Sequence, residues 1–228
     1  MATILDLGQL AAAVYNNGIL PHGWKRTKFH SSSGGLNGFQ AATFVRGAVT
    51  VISFRGTEQA MDGVADVKLG SGMNSTYFSD GEAYARPYLN NPIVYVCGHS
   101  LGGAIAQIVA NRCGFKMVTF NAPGVAVFAS RNMAQATIPM TAVRTIGLVA
   151  STIRHPMQAA RDMASAFNVV RGLNVCLQND VVSQIGIHYG NVIRIPGTSS
   201  NPLTEHKIST MISVLTKNPI GYWSVATL

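Results

Sequence analysis

The sequence predicts an α/β fold in which a mostly parallel central sheet is covered by helices on both faces. Three observations predict it. The apolar run Ile93-Val94-Tyr95-Val96-Cys97 is rich in β-branched residues and reads as a central strand buried on both sides. It passes at once through Gly98-His99-Ser100-Leu101-Gly102 into an Ala/Ile/Val stretch that ends at Gly114, which reads as a buried helix with its stop signal. The same strand character returns at Phe115–Asn121 and again at Leu173–Leu177.

Taken in order, Ile4–Tyr15 places Leu7, Leu10, Ala11 and Val14 at helical spacing, and Asn16-Asn17-Gly18 ends that helix. Pro21–Gly38 reads as loop, with Trp24 as an anchor and Ser31-Ser32-Ser33-Gly34-Gly35 as turn chemistry. Phe39–Val45 and Val49–Phe54 read as a hairpin turning at Arg46-Gly47. Glu58–Asp80 is polar and Gly-rich and holds Asp62 and Asp66; Ser79–Leu89 is a short helix. Val125–Gly172 interrupts the alternation as a helical insert rich in Ala and Met, with Met157, Ala160, Ala164, Phe167 and Val170 on one stripe. Asn191–Ile195 is a further strand, and Thr204-Glu205-His206 opens a last helix running to Leu215. With no repeat, linker or low-complexity tract, residues 1–228 are expected to form one domain.

An apolar content of 47% against 11% charged residues excludes a disordered chain. No run reaches the roughly 18 apolar residues that a membrane-crossing helix needs. Met1–Leu10 lacks a basic start and carries Asp6, so it does not read as a secretory signal; synthesis in the cytoplasm, with any export by a non-classical route, is the expectation. Cys97, Cys113 and Cys176 sit in apolar contexts without metal-type spacing and read as buried free thiols, so neither a metal nor another cofactor is expected. The net charge of +8, from 17 Lys and Arg against 9 Asp and Glu, favours an anionic partner. No basic motif interleaved with aromatics accompanies it, which disfavours nucleic acid.

The chemistry gathers at Ser100. In a Gly-x-Ser-x-Gly turn between strand and helix, the serine stands on a sharp bend and the first helical N–H groups face it. The Leu101 N–H is one candidate donor to a developing oxyanion, and Thr57, at the end of the strand finishing Phe54-Arg55-Gly56, offers a second. A serine hydroxyl needs a base, and the base needs an acid. With this elbow the chain order is serine, acid, histidine. His22 and His30 precede Ser100, His99 lies inside the turn pointing elsewhere, and His155 sits in the insert before Pro156. His206, at a loop-to-helix start, is favoured over His188 as the base. Asp180, after the strand Leu173–Leu177, is favoured over Asp162, which lies in a helical pattern beside Arg161.

Together, Ser53-Phe54-Arg55-Gly56-Thr57, Gly98-His99-Ser100-Leu101-Gly102-Gly103-Ala104, Phe120-Asn121-Ala122-Pro123-Gly124, Asn179-Asp180-Val181-Val182 and His206 resemble the class 3, fungal-type lipase family. The resemblance implies an α/β-hydrolase fold and acyl-ester cleavage. It gives Ser100 as nucleophile, Asp180 as acid and His206 as base, with the backbones of Thr57 and Leu101 as oxyanion hole. Where that family often has Asp-Trp, this chain has Asp62-Gly63 and Asp66-Val67. A looser likeness, of size and charge, is to compact bacterial members exported as lipase toxins; it leaves open whether an immunity or carrier protein accompanies this one.

A lipid substrate at a membrane or micelle surface is the expected partner, with anionic phospholipid preferred on charge. Val125–Phe167 and Met61–Tyr77 are both candidates for a mobile cover over the serine. Two other readings stay open on the sequence: a soluble-ester esterase, and a membrane-inserting or interaction protein that uses a hydrolase scaffold.

Overall fold

The computed structural model describes residues 1–15, 20–32, 38–56, 75–125 and 170–228. Within them, β1 (Lys25–Ser31), β2 (Gln40–Arg46), β3 (Val49–Phe54), β4 (Ile93–His99), β5 (Lys116–Phe120), β6 (Gly172–Leu177) and β7 (Asn191–Ile195) form one sheet whose spatial order is the chain order. β1, β2 and β3 pair antiparallel, and β3 through β7 pair parallel. The expected hairpin is present: Arg46 faces Val49 across a two-residue connection in which Gly47 takes a φ of 59°.

The parallel strands are apolar on both faces because both faces are covered. On one side lie α1 (Ile4–Ala13) and α5 (Ile208–Lys217), packing Leu7, Leu10, Met211 and Leu215 against Phe44, Val51, Tyr95, Cys97 and Phe120. On the other lie α2 (Ser75–Ala85) and α3 (Leu101–Cys113), packing Phe78, Ile105 and Ile108 against Ile52, Phe54, Val94, Val96 and Met117. Alternate residues of β4 thus serve opposite cores, as a two-residue side-chain period requires. Thr3 caps α1 in a reciprocal pair with Asp6, and Gly114 ends α3 in the left-handed conformation at φ 72°.

Four expectations are corrected. The stretch read as loop contains β1, all seven residues of which are exposed. Lys25-Arg26-Thr27-Lys28-Phe29-His30-Ser31 has no apolar alternation to signal a strand. It is an edge strand recruited by pairing with β2, and its cations guard an otherwise open edge. Trp24 just before it is buried, with the Arg46 guanidinium 4.6 Å above its ring. The last helix is two, α4 (Pro202–His206) and α5, broken at Lys207, whose ψ is 136°. Of the three free thiols, Cys97 and Cys176 are buried but Cys113, at the end of α3, is only half-buried. The helix expected at Ser79–Leu89 begins earlier, at Ser75, and tightens into a 3₁₀ turn at Arg86–Tyr88 around Pro87. Nearly all of the insert, and most of the Met61–Tyr77 loop, lie outside the described residues. Among the described residues no helix is long and apolar enough to cross a membrane.

Candidate active site

The segments after β4, β6 and β7 bring the site together at the carboxyl ends of the strands. After β4 the chain turns at Ser100 with φ 57° and ψ −128°, a conformation costing a non-glycine residue about 1–3 kcal/mol. The bend is held by the Ser100 N–H on the Phe120 carbonyl at 3.1 Å and the Ala104 N–H on the Ser100 carbonyl at 3.1 Å. The flanking glycines are required by crowding. A Cβ at Gly98 would fall on the Gly102 carbonyl, and one at Gly102 would fall on the Phe54 carbonyl oxygen. The sequence therefore affords strand and helix a close crossing that only hydrogens can occupy.

Asp180 follows β6, its N–H closing a turn on the Leu177 carbonyl at 3.1 Å. It is 0% exposed. Its Oδ1 accepts from the Val182 N–H at 3.2 Å and its Oδ2 from the Ser183 N–H at 3.0 Å, so the carboxylate is fixed by main-chain donors. His206 ends α4, a short helix capped by the Asn201 side chain on the Leu203 N–H at 2.9 Å. Its Nδ1 is 2.8 Å from Asp180 Oδ1 and its Nε2 is 2.9 Å from Ser100 Oγ. With Nδ1–H donating to the carboxylate, Nε2 is left to accept the serine proton. Such a line can draw the proton from the hydroxyl as it attacks a carbonyl. Ser100 is 2% and His206 3% exposed, so this chemistry is sequestered from bulk water.

Three residues that the sequence reasoning did not single out hold the line in place. Asn121, buried after β5 with φ 47°, donates from Nδ2 to the Glu205 carbonyl at 2.8 Å and accepts the Leu177 N–H on Oδ1 at 2.9 Å. One side chain thus clamps the approach to His206 and the approach to Asp180. Glu205, fully buried, accepts the Thr198 and Ser199 N–H groups on Oε1 at 2.8 and 2.7 Å and pins the loop before α4. Tyr15, just past α1, accepts the Gly56 N–H at 3.0 Å and lies 3.3 Å from His99 Nδ1. A polar residue closing an apolar strand was the available signal for Asn121; Tyr15 offered none.

His99 does not point away from the site. Its Nε2 is 2.6 Å from the His206 carbonyl oxygen, and the two rings lie 4.9 Å apart. Burial, and secondarily the neighbouring His206, press its pKa down to about 3, so it is neutral. The break at Lys207 leaves that carbonyl without a helical N–H, and His99 satisfies it. The other described histidines make no contact with the triad. His188 donates to the Ala122 carbonyl at 2.8 Å and has its pKa lowered by burial. His30 stands on β1, and the His22 carbonyl accepts from Arg46. Leu101 opens α3, directly after the serine. Thr57, Asp62, Asp66, His155 and Asp162 lie outside the described residues. Among the described residues no group of His, Cys, Asp and Glu could hold a metal ion.

Comparison with solved structures finds lipase II from Rhizopus niveus at a TM-score of 0.52 and 16% identity, covering 87% of this chain and 81% of that one. Lip2 lipase from Yarrowia lipolytica follows at 0.50 and 15%, covering 89% and 81%. At such identities the likeness is one of fold, and it is the expected α/β-hydrolase fold. Among characterised sequences, the extracellular phospholipase A1 of Serratia liquefaciens is 32% identical over 91 residues. That match spans 39% of this chain and 28% of the relative. A family model for the Tle-like phospholipase domain matches residues 6–184, more than half of the chain, and the chain therefore belongs to the Tle-like phospholipase family.

Proposed function

We propose that this chain hydrolyses the acyl esters of phospholipids through a covalent acyl-serine. The observation that carries the reading is the unbroken hydrogen-bonded line from Ser100 through His206 to the buried Asp180. Ser100 Oγ attacks the acyl carbonyl while His206 Nε2 takes its proton. Asp180 holds the imidazole in its tautomer and balances the charge it gains. The tetrahedral oxyanion is met by the Leu101 N–H at the start of α3, and by Thr57 on the sequence expectation. His206 returns the proton to the departing glycerol oxygen. A water, deprotonated by the same nitrogen, then releases the fatty acid and restores the serine.

Membership of a phospholipase family and the partial match to a phospholipase A1 support phospholipid over neutral glyceride. The net charge of +8 and the exposed cations of β1 support an anionic bilayer as the preferred surface.

Reaction with a fluorophosphonate followed by peptide mapping tests the nucleophile: the label is expected on Ser100, and a label elsewhere refutes the assignment. Fatty-acid release from phosphatidylcholine vesicles with and without phosphatidylglycerol tests the surface preference. No gain from the anionic lipid removes the charge argument. Ser100→Ala separates hydrolysis from membrane insertion, since a scaffold acting by insertion would keep its biological effect.

A further inference from the structure

The Gly56–Tyr15–His99–His206 contacts form a chain of hydrogen bonds beside the proposed triad but not part of it. The Gly56 N–H donates to Tyr15 Oη at 3.0 Å. The tyrosine hydroxyl then has its own proton to give, and His99 Nδ1 lies 3.3 Å away as the acceptor. The His206 carbonyl can only accept, so His99 carries its proton on Nε2 and donates there at 2.6 Å, leaving Nδ1 to accept. Only one tautomer of one neutral imidazole satisfies both contacts. A second proton would reverse the Tyr15 contact, with Nδ1–H donating to the hydroxyl oxygen, and would put a positive charge 4.9 Å from the His206 ring.

The chain joins two parts that a serine hydrolase must keep in register. At one end is the close of β3, where Gly56 directly precedes the expected oxyanion donor Thr57. A Cβ on Gly56 would come within 2.7 Å of the His99 carbonyl and 2.8 Å of Tyr15 Oη, so this strand end is pressed against the serine turn. At the other end is the main chain of the base, at the break between α4 and α5.

We propose that Tyr15 and His99 are positioning residues that tie the oxyanion end of β3 to the main chain of His206 and so fix the base relative to the site where charge develops. The inference rests on the triad reading. It assigns a role to the variable residue of the Gly-x-Ser-x-Gly turn and to a tyrosine just past α1, on the face of the sheet away from α3. Neither residue meets the substrate; both act through groups that do.

Tyr15→Phe removes one oxygen and leaves the fold's packing intact. His99→Phe removes both ring contacts. His99→Gln keeps them in kind, since its Oε1 can accept where Nδ1 did and its Nε2 can donate where Nε2–H did. The assay is hydrolysis of p-nitrophenyl butyrate, a soluble ester that needs no membrane, together with the rate of fluorophosphonate labelling. Displacing a catalytic group by a fraction of an ångström toward 1 Å costs up to about 100-fold. Tyr15→Phe is accordingly expected to lower kcat about tenfold and His99→Phe about 10- to 100-fold, with KM within about twofold and labelling slowed in proportion. His99→Gln is expected to recover kcat to within about threefold of the parent. Parental kcat in Tyr15→Phe, or a His99→Gln as poor as His99→Phe, overturns the inference while the triad stands. A parent protein that neither turns over ester nor takes the label overturns the triad reading and this inference with it.

Discussion

Replacing Asp180 by asparagine tests the catalytic line without changing its shape. The carboxylate receives three donors: His206 Nδ1–H on Oδ1 at 2.8 Å, with the Val182 and Ser183 N–H groups at 3.2 and 3.0 Å. An amide has one acceptor oxygen where all three donors need one. If that oxygen stays beside His206 and Val182, the amide NH₂ faces the Ser183 N–H. If the amide turns, its NH₂ donates to His206 Nδ1 and forces the ring proton onto Nε2, where it can no longer accept from Ser100. Either way the charge that balances the forming imidazolium is gone. A unit pair about 4 Å apart at an effective dielectric of about 20 is worth about 4 kcal/mol, or about a thousandfold in rate. Loss of the working tautomer brings the expected fall in kcat to about 10³–10⁴-fold with KM little changed. Steady-state hydrolysis of a soluble ester reads kcat, and circular dichroism checks that the fold persists. A kcat within tenfold of the parent in the folded variant would refute the role given to Asp180.

Gly98→Ala drives a methyl group into the Gly102 carbonyl, so the elbow must open; a loss of about 1–3 kcal/mol in urea stability and at least a hundredfold in activity is expected. Asn121→Ala orphans the Leu177 N–H and the Glu205 carbonyl and keeps a left-handed residue without its amide. It should cost about 3–5 kcal/mol by denaturant midpoint, and Asn121→Gly, which relieves only the backbone, should remain clearly destabilised. Native His99, faced by Tyr15 and the His206 ring with Asp180 beyond, has a pKa near 3 against 6.5 unfolded. The unfolded chain therefore binds the extra proton in that window. Stability is complete above about pH 6.5 and falls as the pH drops toward 3, by up to about 1.4 kcal/mol per unit. In His99→Gln, unfolding free energies measured from pH 7 to 4 should lose about one proton of that slope; an unchanged slope would refute the buried neutral state.

The parallel part of the sheet was legible because β4, β5 and β6 are largely buried on both faces and their sequences are mostly apolar. Ser100, Asp180 and His206 were legible because chain order, strand ends and the glycines of the turn leave few alternatives. β1 was not, since an exposed edge strand owes its form to its neighbour rather than to its own pattern. The division of the last helix at Lys207 was equally hidden. The carbonyl it leaves open at His206 is met by a side chain 107 residues away. The partners of Asn121 and Tyr15 were hidden for the same reason, since each lies 41 or more residues away; Glu205 holds a nearby loop, which periodicity does not encode.

Because the strands lie side by side in the order of synthesis, the sheet can be laid down from one margin to the other as the polypeptide emerges. The residues of the elbow are made before those of β6, β7 and α4. The imidazole that would activate it arrives some hundred residues later. A nascent chain of this kind therefore carries Ser100 without its base until the residues after β7 have folded.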